Sequence, residues 1–260
     1  MEKVISVIDQ RKEKLMNKVA ELKTMKVRQS IFMFGIPSAY FILITNKLIP
    51  YLTQETGMHA ALSWFLGGYL VFVPLFLLTL ILYRREGNEW SIPLLLQRLR
   101  IKRLSKNDWK WAIASAFVIL ALTGMILFLS GILTEKFGLP ALETIPSFME
   151  FQALQGYERF YLLIWLPMFF FNIVGEEMLW RGYILPRQEL EHGKYAWVVN
   201  SGLWLLFHAC FGRDLILILL PILVVVPYVA YKTKNTSIGI FTHALLNGPM
   251  FVFVSLGLMQ

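Results

Sequence analysis

Two adjacent glutamates, Glu176 and Glu177, lie inside a long apolar segment that begins at Tyr161. Ionisable side chains at membrane depth are costly and usually mark a functional site or the groups that support it. On a helix, Glu177 and Arg181 share a face in the favourable order, with the acidic residue N-terminal. Glu176 points about 100° away from Glu177 and lies over Asn172. The spacing predicts one carboxylate paired for structural support and one, without such a partner, free to exchange a proton.

Two later apolar segments carry polar side chains at helical spacing. Trp204 and His208 are four residues apart in one segment, as are His243 and Asn247 in the other. Because each polar group would be costly against lipid, we expect them to converge with Glu176 inside a helical bundle. Singly, a His or Asn can also just join helices, for about 0.6 kcal/mol per bond. Trp204 is expected to pack around the site.

Several chemistries compete for these residues. A serine protease needs a serine beside a base, and Ser201 is seven residues from His208 on the same helix. An aspartyl intramembrane protease needs two membrane aspartates, and the candidate Asp214 falls in a predicted turn. Both mechanisms are therefore disfavoured.

A zinc site and a metal-free site remain. Zinc could use His208, His243 and Glu176, although the sequence contains no HExxH motif and Asn247 is a poor zinc ligand. In the alternative, Glu176 and His208 deprotonate a water molecule. His243 and Asn247 then donate hydrogen bonds to the oxyanion of the attacked amide.

Composition places the chain among membrane proteins. Of its 260 residues, 57% are apolar and 16% are charged, against about 25% charged in soluble domains. The net charge of +8 lies in Lys and Arg blocks beside apolar runs. That placement is typical of membrane topology and disfavours a nucleic-acid partner. The single cysteine, Cys210, excludes an intrachain disulfide and a cysteine-based metal cluster.

The hydropathy pattern predicts an all-α, polytopic helical bundle in one transmembrane domain, residues 29–260. A basic amphipathic helix, residues 1–28, precedes it on the cytoplasmic membrane surface. Most predicted spans approach the roughly 20 residues that cross a bilayer. The seven spans are Ile31–Leu52, Ala60–Tyr83, Trp111–Leu133, Phe160–Ile184, Ala196–Phe211, Leu215–Tyr231 and Ile238–Leu258.

The loops predict the orientation. Residues 1–28 and 84–110 hold most of the Lys and Arg, whereas loop 134–158 is acidic. The positive-inside rule then puts the N-terminus and the loop 185–195 in the cytoplasm. His208 would lie too far from the cytoplasm to meet Glu176, unless its helix is tilted or residues 182–194 dip into the membrane.

Three motifs in order resemble a known family, the CPBP intramembrane proteases. This family includes the CAAX prenyl endopeptidases and the bacteriocin-processing Abi proteins. Its motifs EExxxR, FxxxH and HxxxN appear here as Glu176–Arg181, Trp204–His208 and His243–Asn247, with Trp204 in the aromatic position. The resemblance covers residues 160–258, which we take as the catalytic core.

The resemblance implies a glutamate-dependent endopeptidase that uses neither metal nor cofactor. Glu176 and His208 would activate water, His243 and Asn247 would form the oxyanion hole, and Glu177 and Arg181 would support the site. The expected partners are the lipid bilayer of a bacterial cell membrane and a peptide or membrane-protein substrate, either prenylated or carrying a leader. The alternative is a non-proteolytic immunity factor or chaperone-like regulator with the same fold. A channel or transporter is a third class, but the sequence has no clear inverted repeat.

Overall fold

A computed structural model describes residues 21–149 and 152–258. This part of the chain contains helices and loops and no strand, so the predicted all-α class is confirmed. The α-helices are α1 Val27–Leu43, α2 Ile49–Gln54, α3 Ala60–Arg85, α4 Ile92–Arg98, α5 Lys106–Phe137, α6 Tyr161–Glu177, α7 Leu185–His192, α8 Ala196–Phe207, α9 Gly212–Thr233 and α10 Thr236–Ser255. Short helical joints are π-helical at Ile44–Leu48 and Met178–Ile184, and 3₁₀ at Ser147–Met149, Gly156–Phe160, Gly193–Tyr195 and His208–Phe211.

Five helical runs among the described residues are long and apolar enough to cross a membrane, as expected for a multi-pass membrane protein. The fourth run, Gly156–Thr233, extends over 78 residues because α6 to α9 follow one another with only short helical joints. It contains the predicted fourth, fifth and sixth spans, so the count of seven is not confirmed. The other runs are Val27–Gln54, Ala60–Arg85, Lys106–Phe137 and Thr236–Ser255.

The predicted N-terminal amphipathic helix falls mostly on residues 1–20, which lie outside the described part of the chain. Its remaining residues before α1, 21–26, are not helical. The first membrane run therefore begins at Val27, four residues before the predicted Ile31.

The predicted loop 185–195 is wrong, because the chain continues there as α7 and turns only at Gly193, where φ is 54°. Pro186 does not break this helical run, because it lies at the start of α7 directly after the π-helical segment Met178–Ile184, where the α-helical hydrogen-bond pattern is already interrupted. Gln188 is fully buried and accepts a hydrogen bond from Asn200 Nδ2 at 2.9 Å. The buried amide of Gln188 is thus hydrogen-bonded within the protein.

This extension removes the expected mismatch in depth between Glu176 and His208. The helical run that contains Glu176 continues beyond it to His192, so α8 begins well past Glu176 along the bundle. His208, directly after α8, then lies at the level of Glu176, and both residues contact Trp204.

Glycines allow the site-bearing segments to lie against their neighbours. A Cβ at Gly175 would be 3.1 Å from the carbonyl oxygen of Phe72 on α3, and one at Gly182 would be 2.9 Å from the carbonyl oxygen of Leu99. Gly182 belongs to the π-helical segment Met178–Ile184, all seven residues of which are buried. π-Helical turns often occur at functional sites, and this one directly follows Glu177.

Candidate active site

Glu176 accepts two hydrogen bonds from neutral donors. It lies near the end of α6 and is only 2% exposed. Asn172 Nδ2 donates to its Oε1 at 2.8 Å, which confirms the predicted position over Asn172. Trp204 Nε1 donates to its Oε2 at 2.7 Å. Both donors are neutral, and no ion pair to Glu176 occurs among the described residues, in line with the prediction that Glu176 lacks the cationic partner that Glu177 has in Arg181.

Glu177 joins two cationic or potentially cationic side chains in the interior. Its Oε2 lies 3.5 Å from Arg181 Nε, so the predicted i,i+4 ion pair is present. Its Oε1 lies 3.1 Å from His243 Nδ1 on α10, a contact that the sequence did not predict. Gly239, one turn before His243, makes room for this carboxylate, because a Cβ there would collide with Glu177 Oε2.

Arg181 is held by its charge and by the face of an aromatic ring. The centre of its guanidinium lies 3.4 Å from the ring centroid of Trp204, a cation–π contact. None of its side-chain nitrogens makes a hydrogen bond within the described residues. Arg181 therefore stabilises Glu177 through Coulomb attraction rather than through a hydrogen-bonded pair.

Trp204 connects the three motif segments. Its ring centroid lies 5.2 Å from that of His208 and 5.4 Å from that of His243, both in edge-on geometry. Its indole N–H reaches Glu176 on α6. Sequence reasoning assigned Trp204 to packing alone and missed this bond. A buried indole N–H usually finds an acceptor, so its place in the polar stripe before His208 was a usable signal.

His208 has a defined tautomer. A backbone carbonyl can only accept, so the 2.9 Å contact of Nδ1 with the Trp204 carbonyl oxygen requires a proton on Nδ1. In a neutral imidazole, Nε2 then carries a lone pair and acts as an acceptor. His208 is therefore suited to receive a hydrogen bond or a proton at Nε2.

Asn247 stands apart from the other candidates. It lies one turn beyond His243 on α10 and is half-buried. No hydrogen bond joins its amide to another residue in the described ranges. The structure thus brings together Glu176, Glu177, Arg181, His208 and His243 around Trp204, and leaves the amide of Asn247 without a contact that defines its role.

The ligand set of the zinc alternative is not assembled. Within residues 21–149 and 152–258, no three His, Cys, Asp or Glu side chains are grouped closely enough to hold a metal ion. The donor oxygens of Glu176 are instead turned toward Asn172 and Trp204.

Comparison with known proteins identifies a family that part of the chain resembles. Residues 158–248 match the family model described as Type II CAAX prenyl endopeptidase Rce1-like. No curated protein and no solved structure matches the chain. All the residues predicted to be catalytic, Glu176, His208, His243 and Asn247, lie within the matched segment. Residues 158–248 are therefore similar to the Rce1-like type II CAAX prenyl endopeptidases, in agreement with the family predicted from the three motifs, and the match indicates a membrane protease.

Proposed function

We propose that this protein is an intramembrane endopeptidase in which Glu176 and His208 activate a water molecule that attacks a peptide carbonyl carbon. One observation carries the proposal: Trp204 donates to Glu176 while its ring contacts the imidazoles of both histidines. Three helical segments that are distant in sequence thereby place a carboxylate and two imidazoles around one position. Such a group of acid, base and donor side chains is what hydrolysis of an amide requires.

Glu176 and His208 both offer acceptor atoms to a water molecule. Each carboxylate oxygen accepts one hydrogen bond from protein and keeps further acceptor capacity. Nε2 of neutral His208 has a lone pair because Nδ1 carries the proton. The two acceptors would orient a water by its two hydrogens. As its oxygen bonds to the carbonyl carbon, Glu176 takes one proton, and delivers it to the leaving nitrogen when the C–N bond breaks.

His243 and Asn247 are proposed to stabilise the oxyanion. His243 Nδ1 is committed to Glu177, so only its Nε2 is free to face the reaction. Nε2 carries a hydrogen to donate when His243 is an imidazolium. In that state Arg181 and His243 balance the charges of Glu176 and Glu177, and a buried site without net charge avoids a large desolvation cost.

An apolar groove between α6 and α10, the two helices that carry Glu176 and His243, supports the proposal that a substrate segment enters from the lipid. The groove has a volume of about 520 Å³ and runs between α6 and α10. Its lining includes Ile240 and Ala244, which flank His243 on α10, and Val174 near Glu176. The proposed substrate is therefore a peptide or membrane protein with an apolar segment at the scissile bond, and a prenylated protein or a leader peptide both fit. The remaining lining residues are Leu166, Pro167, Phe169, Phe170 and Ile173.

One observation favours the alternative of a non-proteolytic membrane protein. Glu176 is almost fully buried, and both of its oxygens already accept hydrogen bonds within the protein. A carboxylate of this kind can have a purely structural role, in which it ties α6 to α8, as in an immunity factor or a chaperone-like regulator. Glu176→Gln separates the two functions, because it removes the base and keeps the shape of the side chain.

The test compares the N-termini of membrane peptides from cells that produce the wild-type protein or Glu176→Gln. Glu135→Gln is the matched control, since it makes the same change at an exposed position near the end of α5. We expect a set of cleavage sites that is present with the wild type and with Glu135→Gln and absent with Glu176→Gln, at equal amounts of membrane protein.

Cleavage sites that persist with Glu176→Gln would show that Glu176 is not the base. A complete lack of sites that depend on the wild-type protein, in cells where it accumulates, would favour the non-proteolytic alternative. The same comparison identifies the substrate, from which a quenched peptide across the cleavage site can be made for kinetics in proteoliposomes.

A further inference from the structure

We propose that Trp204 is the positioning residue that aligns Glu176 with His208. Its indole N–H donates to Glu176, and its backbone carbonyl accepts from His208. The chemical part of this inference rests on the proposed function. The structural part, that the indole N–H holds the Glu176 carboxylate, is tested without any cleavage reaction.

The carboxylate of Glu176 needs hydrogen bonds from other side chains to keep one orientation. The terminal torsion of a glutamate is broad and roughly two-fold, so the side chain itself does not fix the plane of its oxygens. Asn172, on the same helix α6, donates a hydrogen bond to Oε1, whereas Trp204, on α8, donates one to Oε2. The bond from Trp204 therefore sets the carboxylate relative to the helix that carries His208.

The same residue also orients the second proposed base. Nδ1 of His208 donates to the carbonyl oxygen of Trp204 at 2.9 Å, which selects the tautomer with a free Nε2. The edge of the imidazole meets the indole ring at an interplanar angle of 87°. Both members of the water-activating pair thus take their orientation from one residue.

Trp204 is itself held firmly. It is fully buried, its ring lies under the guanidinium of Arg181, and its edge meets His243. The motif FxxxH has Phe at this position, and a phenyl ring keeps these ring contacts but has no N–H to donate. The hydrogen bond to Glu176 is therefore a property of this chain that the motif pattern alone does not supply.

The test is Trp204→Phe, with Trp180→Phe as the matched control. Trp180 is equally buried and stacks on Phe34 with ring centroids 4.0 Å apart, but its indole N–H has no acceptor among the described residues. Both variants replace a buried indole by a phenyl ring, and only one removes a bond to Glu176. Melting temperature in detergent checks that both variants fold.

The first readout is labelling of Glu176 by dicyclohexylcarbodiimide in detergent, measured by peptide mass spectrometry. This apolar carbodiimide reacts with carboxyl groups in apolar surroundings, where a carboxyl oxygen bonds to the carbodiimide carbon. In the wild type both oxygens of Glu176 accept hydrogen bonds from N–H donors, which hinders that attack. We expect Trp204→Phe to increase labelling of Glu176 severalfold and Trp180→Phe to leave it at the wild-type level. Equal labelling in all three proteins would overturn the proposal, whether or not the protein is a protease.

The second readout is turnover of the quenched peptide in proteoliposomes. Misplacement of a catalytic group by about 1 Å can cost about 10²-fold in rate. We expect Trp204→Phe to lower kcat by up to about that factor while KM stays within about twofold, because substrate binding is not altered. An unchanged kcat, or a loss confined to KM, would show that Trp204 does not align the bases.

Replacement of Trp204 by benzothienylalanine decides the question if Trp204→Phe does not fold. This analogue keeps the bicyclic shape of the indole and carries sulfur in place of the N–H, so it removes only the bond to Glu176. We expect Glu176 to be labelled severalfold more than in the wild type. Labelling at the wild-type level would mean that Trp204 does not hold the carboxylate, and the proposal would be wrong.

Discussion

Glu177 and His243 are 66 positions apart in the sequence, yet Nδ1 of His243 lies 3.1 Å from Oε1 of Glu177 in the protein interior. This contact commits Nδ1 of the imidazole to a carboxylate and leaves Nε2 available to the proposed site. It also ties α6 to α10, so the geometry of the proposed oxyanion donor depends on how closely these two helices approach.

Gly239→Ala is predicted to disturb this relationship without changing any charge. The added methyl group would collide with Glu177 Oε2, so the carboxylate must move away from His243 or α10 must shift. Overpacking of this kind costs about 1–3 kcal/mol of stability. We expect a lower melting temperature and a kcat reduced by about tenfold or more.

Gly202→Ala is the control, because a Cβ at Gly202 on α8 meets no atom within 4 Å. Alanine is a better helix former than glycine, so this variant is expected to be as stable as the wild type or slightly more stable. If the two alanine variants behaved alike in melting and in turnover, the close approach at Gly239 would have no functional importance.

Arg181→Ala is predicted to destabilise the protein more than Glu176→Gln does. It leaves the fully buried carboxylate of Glu177 without its cation and also removes the stack on Trp204. Loss of one partner of a buried ion pair costs about 3–5 kcal/mol. Thermal unfolding in detergent measures the difference.

Arg181→Lys refines the same prediction. Lysine keeps the positive charge but lacks the planar group that stacks on an indole. We expect its melting temperature to lie between those of the wild type and Arg181→Ala. Equal melting temperatures for Arg181→Ala and Glu176→Gln would count against a structural role for the Glu177–Arg181 pair.

Asn247→Ala is predicted to lower kcat by about 10²–10³-fold and to leave KM nearly unchanged, because an oxyanion donor acts mainly in the transition state. Asn247→Asp should be worse, since it places a carboxylate where the negative charge develops. The quenched peptide in proteoliposomes provides both constants. A raised KM at constant kcat would instead make Asn247 a residue that positions the substrate.

Activity is predicted to survive removal of metal ions. The proposed roles of Glu176, His208 and His243 are those of a base and of hydrogen-bonding groups, and the described residues contain no grouped ligand set. Turnover after dialysis against a chelator, with elemental analysis of the purified protein, checks this. Stoichiometric zinc, together with activity that chelation abolishes and metal restores, would replace the mechanism by a zinc site.

The sequence by itself indicated which residues are candidates for the chemistry. Helical periodicity is local, so the shared face of Glu177 and Arg181 and the place of Glu176 over Asn172 followed from spacing alone. The cost of polar groups in lipid predicted that His208 and His243 turn inward. The all-α class followed from the length and apolar content of the segments.

Only the tertiary structure decided how those residues meet. The bonds from Trp204 to Glu176 and from His243 to Glu177 join residues 28 and 66 positions apart. Such pairs depend on the packing of whole helices, about which periodicity within one helix says nothing. The continuation of the chain as α7 was also hidden, because Gln188 and its polar neighbours resemble a loop until Asn200 and Ser30 are found beside them. Interior hydrogen bonds supplied by other helices replace water there, and that replacement is a property of the folded chain.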